Sequence, residues 1–233
     1  MSKEMLLADE VVSINNKLKI LVFGDVCRCY NTETKQMVDE CIYYSAITKN
    51  LIVTKDTIGT YLIDGNGELI GVLHIEDLRS TNESIAKAER NYICSHIKYE
   101  DLYLPTEGDV YECNISNNRD WTHSVSTDGE FTRLSISLND KMTIFFENAT
   151  GNIIKCYRGY AGISSKSRNY ISVSSYKKDG KQELLNKKGK VLAVYPKGTA
   201  YCIDYDTDEW FDGRPFKIEN DKIRRTHNRK GLI

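Results

Sequence analysis

A degenerate repeat of strand–turn–strand segments is the feature that most constrains what this chain can fold into. Residues 51–55 and 59–73 read as strand, loop, strand, tight glycine-containing turn and strand, and a second copy spans 170–195. Two further copies, 20–38 and 134–154, match each other when they are aligned on their turns. A lone meander of three or four strands buries one face and leaves its edges unpaired, so such copies must stack or close into a ring.

The interval between the turns predicts a nearly all-β domain of five or six units, for which we expect a small five- or six-bladed β-propeller. The chain is 233 residues long, has 15 Tyr and only 3 Pro, and is long enough for one domain of this kind. The repeat units are expected near residues 11–48, 49–79, 91–125, 129–163, 168–200 and 201–223.

One segment breaks the repeat pattern. Ser80-Thr-Asn-Glu83 has the spacing of a helix capping box and precedes Ser-Ile-Ala-Lys-Ala-Glu-Arg90. A short helical insertion is therefore predicted over 80–90. Its apolar face is narrow, so we expect this helix to lie on the surface.

Two of the predicted hairpins carry a family resemblance. The segments Leu184-Leu-Asn-Lys-Lys-Gly-Lys-Val-Leu192 and Tyr61-Leu-Ile-Asp-Gly-Asn-Gly-Glu-Leu-Ile70 resemble the hairpins of WG-repeat proteins. Similar hairpins occur in propeller blades of the quinoprotein and WD40 kinds. The Trp-Gly dipeptide is absent, and Ile58-Gly59 stands nearest to its place. The resemblance implies a scaffold of repeated β-hairpins.

Charge and hydropathy indicate where such a protein resides. The chain carries 32 basic and 33 acidic residues, a formal net charge of -1, which gives no chain-wide attraction to nucleic acid or to an anionic membrane. The first residues do not have the pattern of a secretory signal, and no later window is apolar enough for a membrane helix. We therefore expect a soluble, cytoplasmic protein with no membrane partner.

The sequence predicts no cofactor. Seven cysteines leave at least one without an intramolecular partner, and no Cys-x-x-Cys pair favours a zinc site. Cys27 and Cys29 would point to one face of a strand, where we interpret them as reduced, buried, small apolar side chains. Gly65-Asn-Gly67 lies between two predicted strands. A nucleotide-binding glycine loop is followed by a helix, so these glycines do not predict such a loop.

The candidate binding residues lie in two polar segments. One predicted loop contains a carboxylate, an aromatic ring and an imidazole, those of Asp120, Trp121 and His123. Trp210 is the second of only 2 tryptophans. Aromatic side chains on rigid loops dominate contact energies, so the first hypothesis is a non-catalytic module that presents these loops to a protein partner.

A weak calcium candidate lies beside Trp210. Asp204, Asp206 and Asp208 alternate like the first ligands of a calcium loop. The sixth and twelfth positions of that loop require Gly and a carboxylate, but here they are Glu209 and Pro215. The sequence therefore favours a solvated acidic strand and turn here, with a looser calcium-binding hairpin as the weaker alternative.

Two further functions remain open from the sequence. A hydrolase acting on a sugar or a phosphodiester would need a pocket where Asp77, Asp120, Asp206 or His123 converge, and a small-molecule ligand fits the same loops. Nucleic-acid contact would use the basic tail, 224–233. The charged residues of that tail are Arg224, Arg225, Arg229 and Lys230. This short run lacks interleaved aromatic residues, so the sequence gives nucleic acid little support.

Overall fold

The computed structural model describes residues 3–75, 83–104, 110–113, 122–137, 141–178 and 180–226. Within these residues the chain forms 21 strands, arranged in five antiparallel sheets, and two α-helices. The predicted all-β class is confirmed. The chain divides into two compact units, Met1–Asp140 and Lys141–Ile233.

The first two sheets belong to the first unit, and each is a four-stranded meander in chain order. The first sheet contains β1 (Glu10–Ser13), β2 (Leu18–Phe23), β3 (Val26–Asn31) and β4 (Gln36–Cys41). The second sheet contains β5 (Tyr43–Thr48), β6 (Leu51–Lys55), β7 (Gly59–Asp64) and β8 (Leu69–Ile75). Two helices, α1 (Lys3–Leu7) and α2 (Glu83–His96), and a 3-10 turn (Tyr99–Asp101) complete the unit's described elements outside the third sheet.

The third sheet has five strands, also in chain order. Its strands are β9 (Val110–Cys113), β10 (Thr122–Thr127), β11 (Phe131–Ser137), β12 (Lys141–Glu147) and β13 (Ile153–Arg158). β10 pairs with β9 and β11, and β12 pairs with β13. Every one of these described pairings is antiparallel.

The fourth and fifth sheets belong to the second unit and are again four-stranded meanders. The fourth sheet contains β14 (Ala161–Lys166), β15 (Tyr170–Ser175), β16 (Lys181–Asn186) and β17 (Val191–Pro196). The fifth contains β18 (Tyr201–Asp204), β19 (Glu209–Phe211), β20 (Pro215–Glu219) and β21 (Lys222–Arg225).

The sheets are offset from the predicted repeat units. The first unit was expected to end at residue 48, but β5 pairs with β6 and opens the second sheet. The segment near 91–125 was expected to be a β unit, yet its start is helical, because α2 continues past Arg90 to His96. The extra turns of α2 place Ile93 in the core, with 2 % of its surface exposed. The structure therefore has five sheets where six units were expected.

Each unit has its own hydrophobic core. In the first unit the inward faces of the first two sheets form a cluster of Ile14, Leu18, Ile20, Cys27, Cys29, Cys41, Tyr44, Ile52 and Ile63. In the second unit the cluster consists of Tyr170, Leu184, Trp210, Phe216 and Ile218. Of the helices the structure describes, none is long and apolar enough to cross a membrane.

Candidate functional site

Charge is distributed very unevenly between the two units. Residues 141–233 carry 19 Lys and Arg against 10 Asp and Glu, whereas residues 1–140 carry 13 against 23. The second unit thus has a formal net charge of +9 and the first unit one of -10. A concentration of one sign of charge attracts partners of the other sign and speeds their association.

Much of this positive charge gathers at one end of the fourth sheet, which we call the basic end. It is defined by two tyrosines and six basic residues: Tyr160, Tyr176, Lys141, Arg158, Lys177, Lys178, Lys181 and Lys197. All six basic side chains are exposed. The basic end therefore offers a cationic surface carried by rigid strands.

Strand register brings these distant residues together. Lys181 opens β16 and pairs with Pro196, the last residue of β17, so Lys197 emerges beside it. The backbone N–H of Tyr176 donates to the carbonyl of Tyr160 at 3.0 Å. The N–H of Gly159 likewise donates to the carbonyl of Lys141.

Two glycines shape the basic end. A Cβ at Gly162 would collide with the hydroxyl and ring of Tyr176, so the ring lies directly over this backbone. A Cβ at Gly180 would lie 2.6 Å from the carbonyl oxygen of Ser175, and the N–H of Gly180 donates to the carbonyl of Lys177 at 2.9 Å. The turn that exposes Lys177 and Lys178 therefore requires glycine at its close.

Lysines lie against both tyrosines. The ammonium of Lys197 is 5.8 Å from the ring centroid of Tyr176, and that of Lys141 is 4.8 Å from the ring of Tyr160. These are cation–π distances. Tyr176 covers Gly162 and lies near Lys197, yet 57 % of its surface remains exposed.

The lysines at the basic end lack acidic partners among the described residues. Lys141, Lys177, Lys178, Lys181 and Lys197 form no ion pair there, in contrast to the opposite end of the fourth sheet. At that opposite end Lys187 lies 3.7 Å from Glu147, and Lys190 lies 3.5 Å from Asp221. Among the described residues, lysines therefore have acidic partners at one end of the sheet and none at the other.

The structure places Trp210 in the core, which corrects the prediction that it anchors a partner. Its side chain has no exposed surface and packs with Phe216 and Leu184. It pairs across the sheet with Cys202 and Phe216, and it points inward between the partly exposed Glu209 and Phe211. A side chain without exposed surface cannot contact a partner.

His123 is also buried, with 1 % of its surface exposed. Its Nδ1 lies 2.6 Å from the hydroxyl of Ser45 on β5. Burial lowers the pKa of His123 to about 4, so the imidazole is neutral near pH 7. Its loop neighbours Asp120 and Trp121, like Asp77, lie outside the described residues.

The three carboxylates of the calcium candidate do not converge. Asp204 accepts hydrogen bonds from the N–H groups of Asp206 and Thr207, and these bonds lower its pKa. Asp206 pairs with Arg168 at 3.2 Å. Asp208 is buried and accepts hydrogen bonds from Ser167 and Asn169.

The described part of the predicted basic tail belongs to the fold. Arg224 and Arg225 lie in β21, where Arg224 pairs with Glu219 at 3.2 Å. The guanidinium of Arg225 donates to both carboxylate oxygens of Asp212 and, through this hydrogen bonding, lowers its pKa. Because both arginines already have acidic partners, they are poor phosphate contacts. Arg229 and Lys230 lie outside the described residues.

Comparisons with known proteins add little to this description. No protein-family model matches the chain, and no curated protein matches its sequence. Among solved structures, Hsv2 from Kluyveromyces lactis is 10% identical with a TM-score of 0.28, covering 97% of this chain and 88% of that chain. BamB from Moraxella catarrhalis is 11% identical with a TM-score of 0.22, covering 90% and 69% respectively.

A third solved structure, the C-terminal WD40 domain of Sif2, is 8% identical with a TM-score of 0.23, covering 88% of this chain and 67% of that chain. At such TM-scores these similarities carry no argument about fold or function. The architecture described above rests on the strand pairing itself.

Proposed function

We propose that this chain is a non-catalytic binding module whose basic end docks an acidic segment of a protein partner. The observation that carries the proposal is the group of exposed lysines at one end of the fourth sheet, which form no ion pair among the described residues. Lysines held on adjacent turns of one sheet supply several positive charges at fixed positions. Such a surface favours a flexible acidic chain, which can align its carboxylates with them.

The tyrosines of the basic end bear on the choice between a protein partner and single-stranded nucleic acid. Proteins that bind single strands stack successive bases on open aromatic faces. The ring of Tyr176 lies over Gly162 and beside Lys197, and the ring of Tyr160 contacts Lys141. Although Tyr176 is 57 % exposed, the two tyrosines of the basic end give few stacking positions for successive bases, so a protein partner is the first choice.

The hydrolase hypothesis gains no comparable support. His123 is buried beside Ser45, and burial keeps it neutral. Asp206 is exposed and forms an ion pair with Arg168. Neither group belongs to a cluster of three or more His, Cys, Asp and Glu side chains among the described residues, so no catalytic constellation forms around them there.

A binding titration with two labelled probes tests the proposed function. An oligoglutamate peptide represents an acidic protein segment, and an oligothymidylate of similar total charge represents single-stranded nucleic acid. We expect the peptide to bind with an affinity that falls steeply as salt rises. Stronger binding of the oligothymidylate at matched charge would refute the preference for protein, and no binding of either probe would refute the site.

Charge reversal locates the contact. Lys178→Glu and Lys197→Glu together are expected to lower peptide affinity by about tenfold, since each removes an attraction and adds a repulsion. Lys188→Glu is the matched control, because this lysine is equally exposed but lies in the turn at the opposite end of the fourth sheet. An equal loss of affinity in the control variant would show that the peptide responds only to overall charge.

We further propose that the five sheets are blades of a five-bladed β-propeller, the smaller of the two forms expected from the sequence. The support is that each sheet is a meander of consecutive strands, the form that a propeller blade takes. Small-angle X-ray scattering of the whole chain tests this proposal, because a closed ring has a smaller radius of gyration than two separated units.

A further inference from the structure

A cluster of three cysteines and one aspartate lies in the first sheet. Cys27 and Cys29 alternate on β3, and Asp39 and Cys41 alternate on β4. In the antiparallel register, Cys27 is directly opposite Cys41 and Cys29 is directly opposite Asp39. Because side chains two residues apart share a face and cross-strand partners share that face, all four groups project to the same side.

The ligand atoms of this cluster are close together. The Sγ atoms of Cys29 and Cys41 and a carboxylate oxygen of Asp39 all lie within 4.8 Å of one another. Cys27 is the cross-strand partner of Cys41, although its thiol lies outside this group of three. Among the residues the structure describes, no other group of three or more His, Cys, Asp and Glu side chains meets in this way.

The burial of the cluster suits a metal centre with a way in from solvent. Cys29 has no exposed surface, Cys41 is 2 % exposed and Cys27 is 7 % exposed, whereas Asp39 is only half-buried. All three thiols are reduced in this structure. Asp39 is the most exposed of the four groups, so an ion would arrive past its carboxylate.

We propose that Cys29, Cys41, Asp39 and Cys27 bind a zinc ion. Thiolate sulfur is a soft ligand that selects zinc over calcium or magnesium, and a carboxylate completes many four-coordinate zinc sites. Four ligands at zinc–sulfur distances of about 2.3 Å would lie roughly 3.8 Å apart in a tetrahedron. The ligand atoms of Cys29, Cys41 and Asp39, which lie within 4.8 Å of one another, must therefore close by about an ångström, and the Cys27 thiol must turn toward them.

Local backbone geometry permits that closure. The register between β3 and β4 shifts between Cys29 and Tyr30, so an irregularity lies immediately beside the cluster. β4 pairs only with β3 in its sheet, so it can move without disturbing a strand on its other side. Binding releases the thiol protons to solvent, because zinc coordinates the thiolate and not the thiol. The ion would tie the edge strand to the rest of the sheet.

Zinc titration of the reduced whole chain tests this site. The ion would be supplied against a chromophoric chelator, and the metal-to-protein ratio would be measured by native mass spectrometry. We expect one zinc per chain, together with a rise in the melting temperature. Cobalt substituted for zinc should give the visible absorption of a tetrahedral site with thiolate ligands.

Variants assign the ligands. Cys29→Ser and Asp39→Asn are each expected to weaken zinc binding by at least about tenfold, and the loss of cobalt–thiolate absorption should accompany Cys29→Ser. Cys202→Ser is the matched control, because this free thiol lies in the fifth sheet. Should a variant fail to fold, cobalt spectra and zinc-dependent protection of thiols from alkylation in the unmodified chain still test the site.

Three results would overturn the proposal. The first is a reduced chain that takes up no zinc from the chelator. The second is zinc binding that persists unchanged in both Cys29→Ser and Asp39→Asn. The third is a disulfide between the opposed Cys27 and Cys41 that forms equally fast with and without zinc, since a bound ion would hold both thiolates and slow their oxidation.

Discussion

The hydroxyl of Ser45 lies 2.6 Å from Nδ1 of His123, and this hydrogen bond joins two buried side chains from different sheets. Ser45 is on β5 in the second sheet, and His123 is on β10 in the third. The bond gives a neutral imidazole a partner inside an apolar environment. It therefore contributes to the stability of the first unit in a way that depends on pH.

The stability of the protein should fall as the pH drops below about 6.5. Burial lowers the pKa of His123 from 6.5 to about 4. Between pH 6.5 and pH 4 the imidazole is therefore protonated in the unfolded chain and neutral in the folded chain. The free energy of unfolding should therefore fall by about 2 kcal/mol between pH 7 and pH 5. Urea denaturation at both pH values measures it.

Two variants isolate this contribution from that of other titrating groups. In His123→Gln the pH-dependent loss should shrink by about 2 kcal/mol, although the variant is less stable at pH 7. His96→Gln is the control, because it makes the same replacement at an exposed histidine. An identical slope in the original chain and in His123→Gln would contradict the role of the buried imidazole.

Replacing Trp210 should affect folding and not recognition. Trp210→Ala removes a fully buried side chain from the core of the second unit and should cost about 3 to 5 kcal/mol. Trp210→Phe should cost much less, since it keeps most of the buried volume and removes an indole N–H that has no partner among the described residues. Thermal unfolding measures both. A stable Trp210→Ala variant with impaired binding would restore the original prediction.

Asp208 should prove to be a structural residue and not a calcium ligand. Its carboxylate accepts hydrogen bonds from Ser167 at 2.7 Å and from the Asn169 amide at 2.8 Å. Its φ of 54° lies in the left-handed region. Asp208→Ala should therefore cost about 2 to 3 kcal/mol, through lost hydrogen bonds and backbone strain. Asp208→Asn should cost less, because Asn tolerates this φ.

Calcium provides a direct check on the same group. With its oxygens engaged by Ser167 and Asn169, Asp208 is a poor third ligand beside Asp204 and Asp206. We expect the melting temperature to be the same in millimolar calcium and in a calcium chelator. A calcium-dependent rise that disappears in Asp204→Asn would show that the three carboxylates rearrange around an ion.

Gln182 should hold together the connection between the fourth and fifth sheets. This buried side chain donates to the hydroxyl of Ser172 at 2.6 Å, and its carbonyl oxygen accepts the N–H of Ala200 at 3.0 Å. Gln182→Leu keeps the volume but leaves these groups unsatisfied, at an expected cost of about 3 kcal/mol. Gln36→Leu, at an exposed position of β4, should cost less than about 0.5 kcal/mol.

The repeated hairpins were predictable because their signals are local. The turn that follows β7 belongs to a hairpin that resembles those of WG-repeat proteins. In this turn Asp64 accepts hydrogen bonds from the N–H groups of Asn66 and Glu68, and Gly67 has a φ of 92°. These interactions span four residues, so the sequence displays them directly. The end of α2 was missed because the alternation of Tyr92 and Cys94 also fits a strand.

The candidate sites were harder to find because strand register assembles them. Cys27 and Cys29 were expected on one face, but only the pairing of β3 with β4 adds Asp39 and Cys41. The basic end joins lysines as far apart as Lys141 and Lys197. The sequence signal for the basic end is the opposite net charge of the two units, which the total charge of -1 does not reveal.

The order of strands within each sheet affects how the protein is made. Each described pairing joins strands that are consecutive in the chain, so a sheet needs no residue that lies beyond its own last strand. Contacts at short sequence separation form quickly, at a low cost in chain entropy. During translation the first sheet can thus assemble once Cys41 has left the ribosome, so each of its strands waits only briefly for its partner.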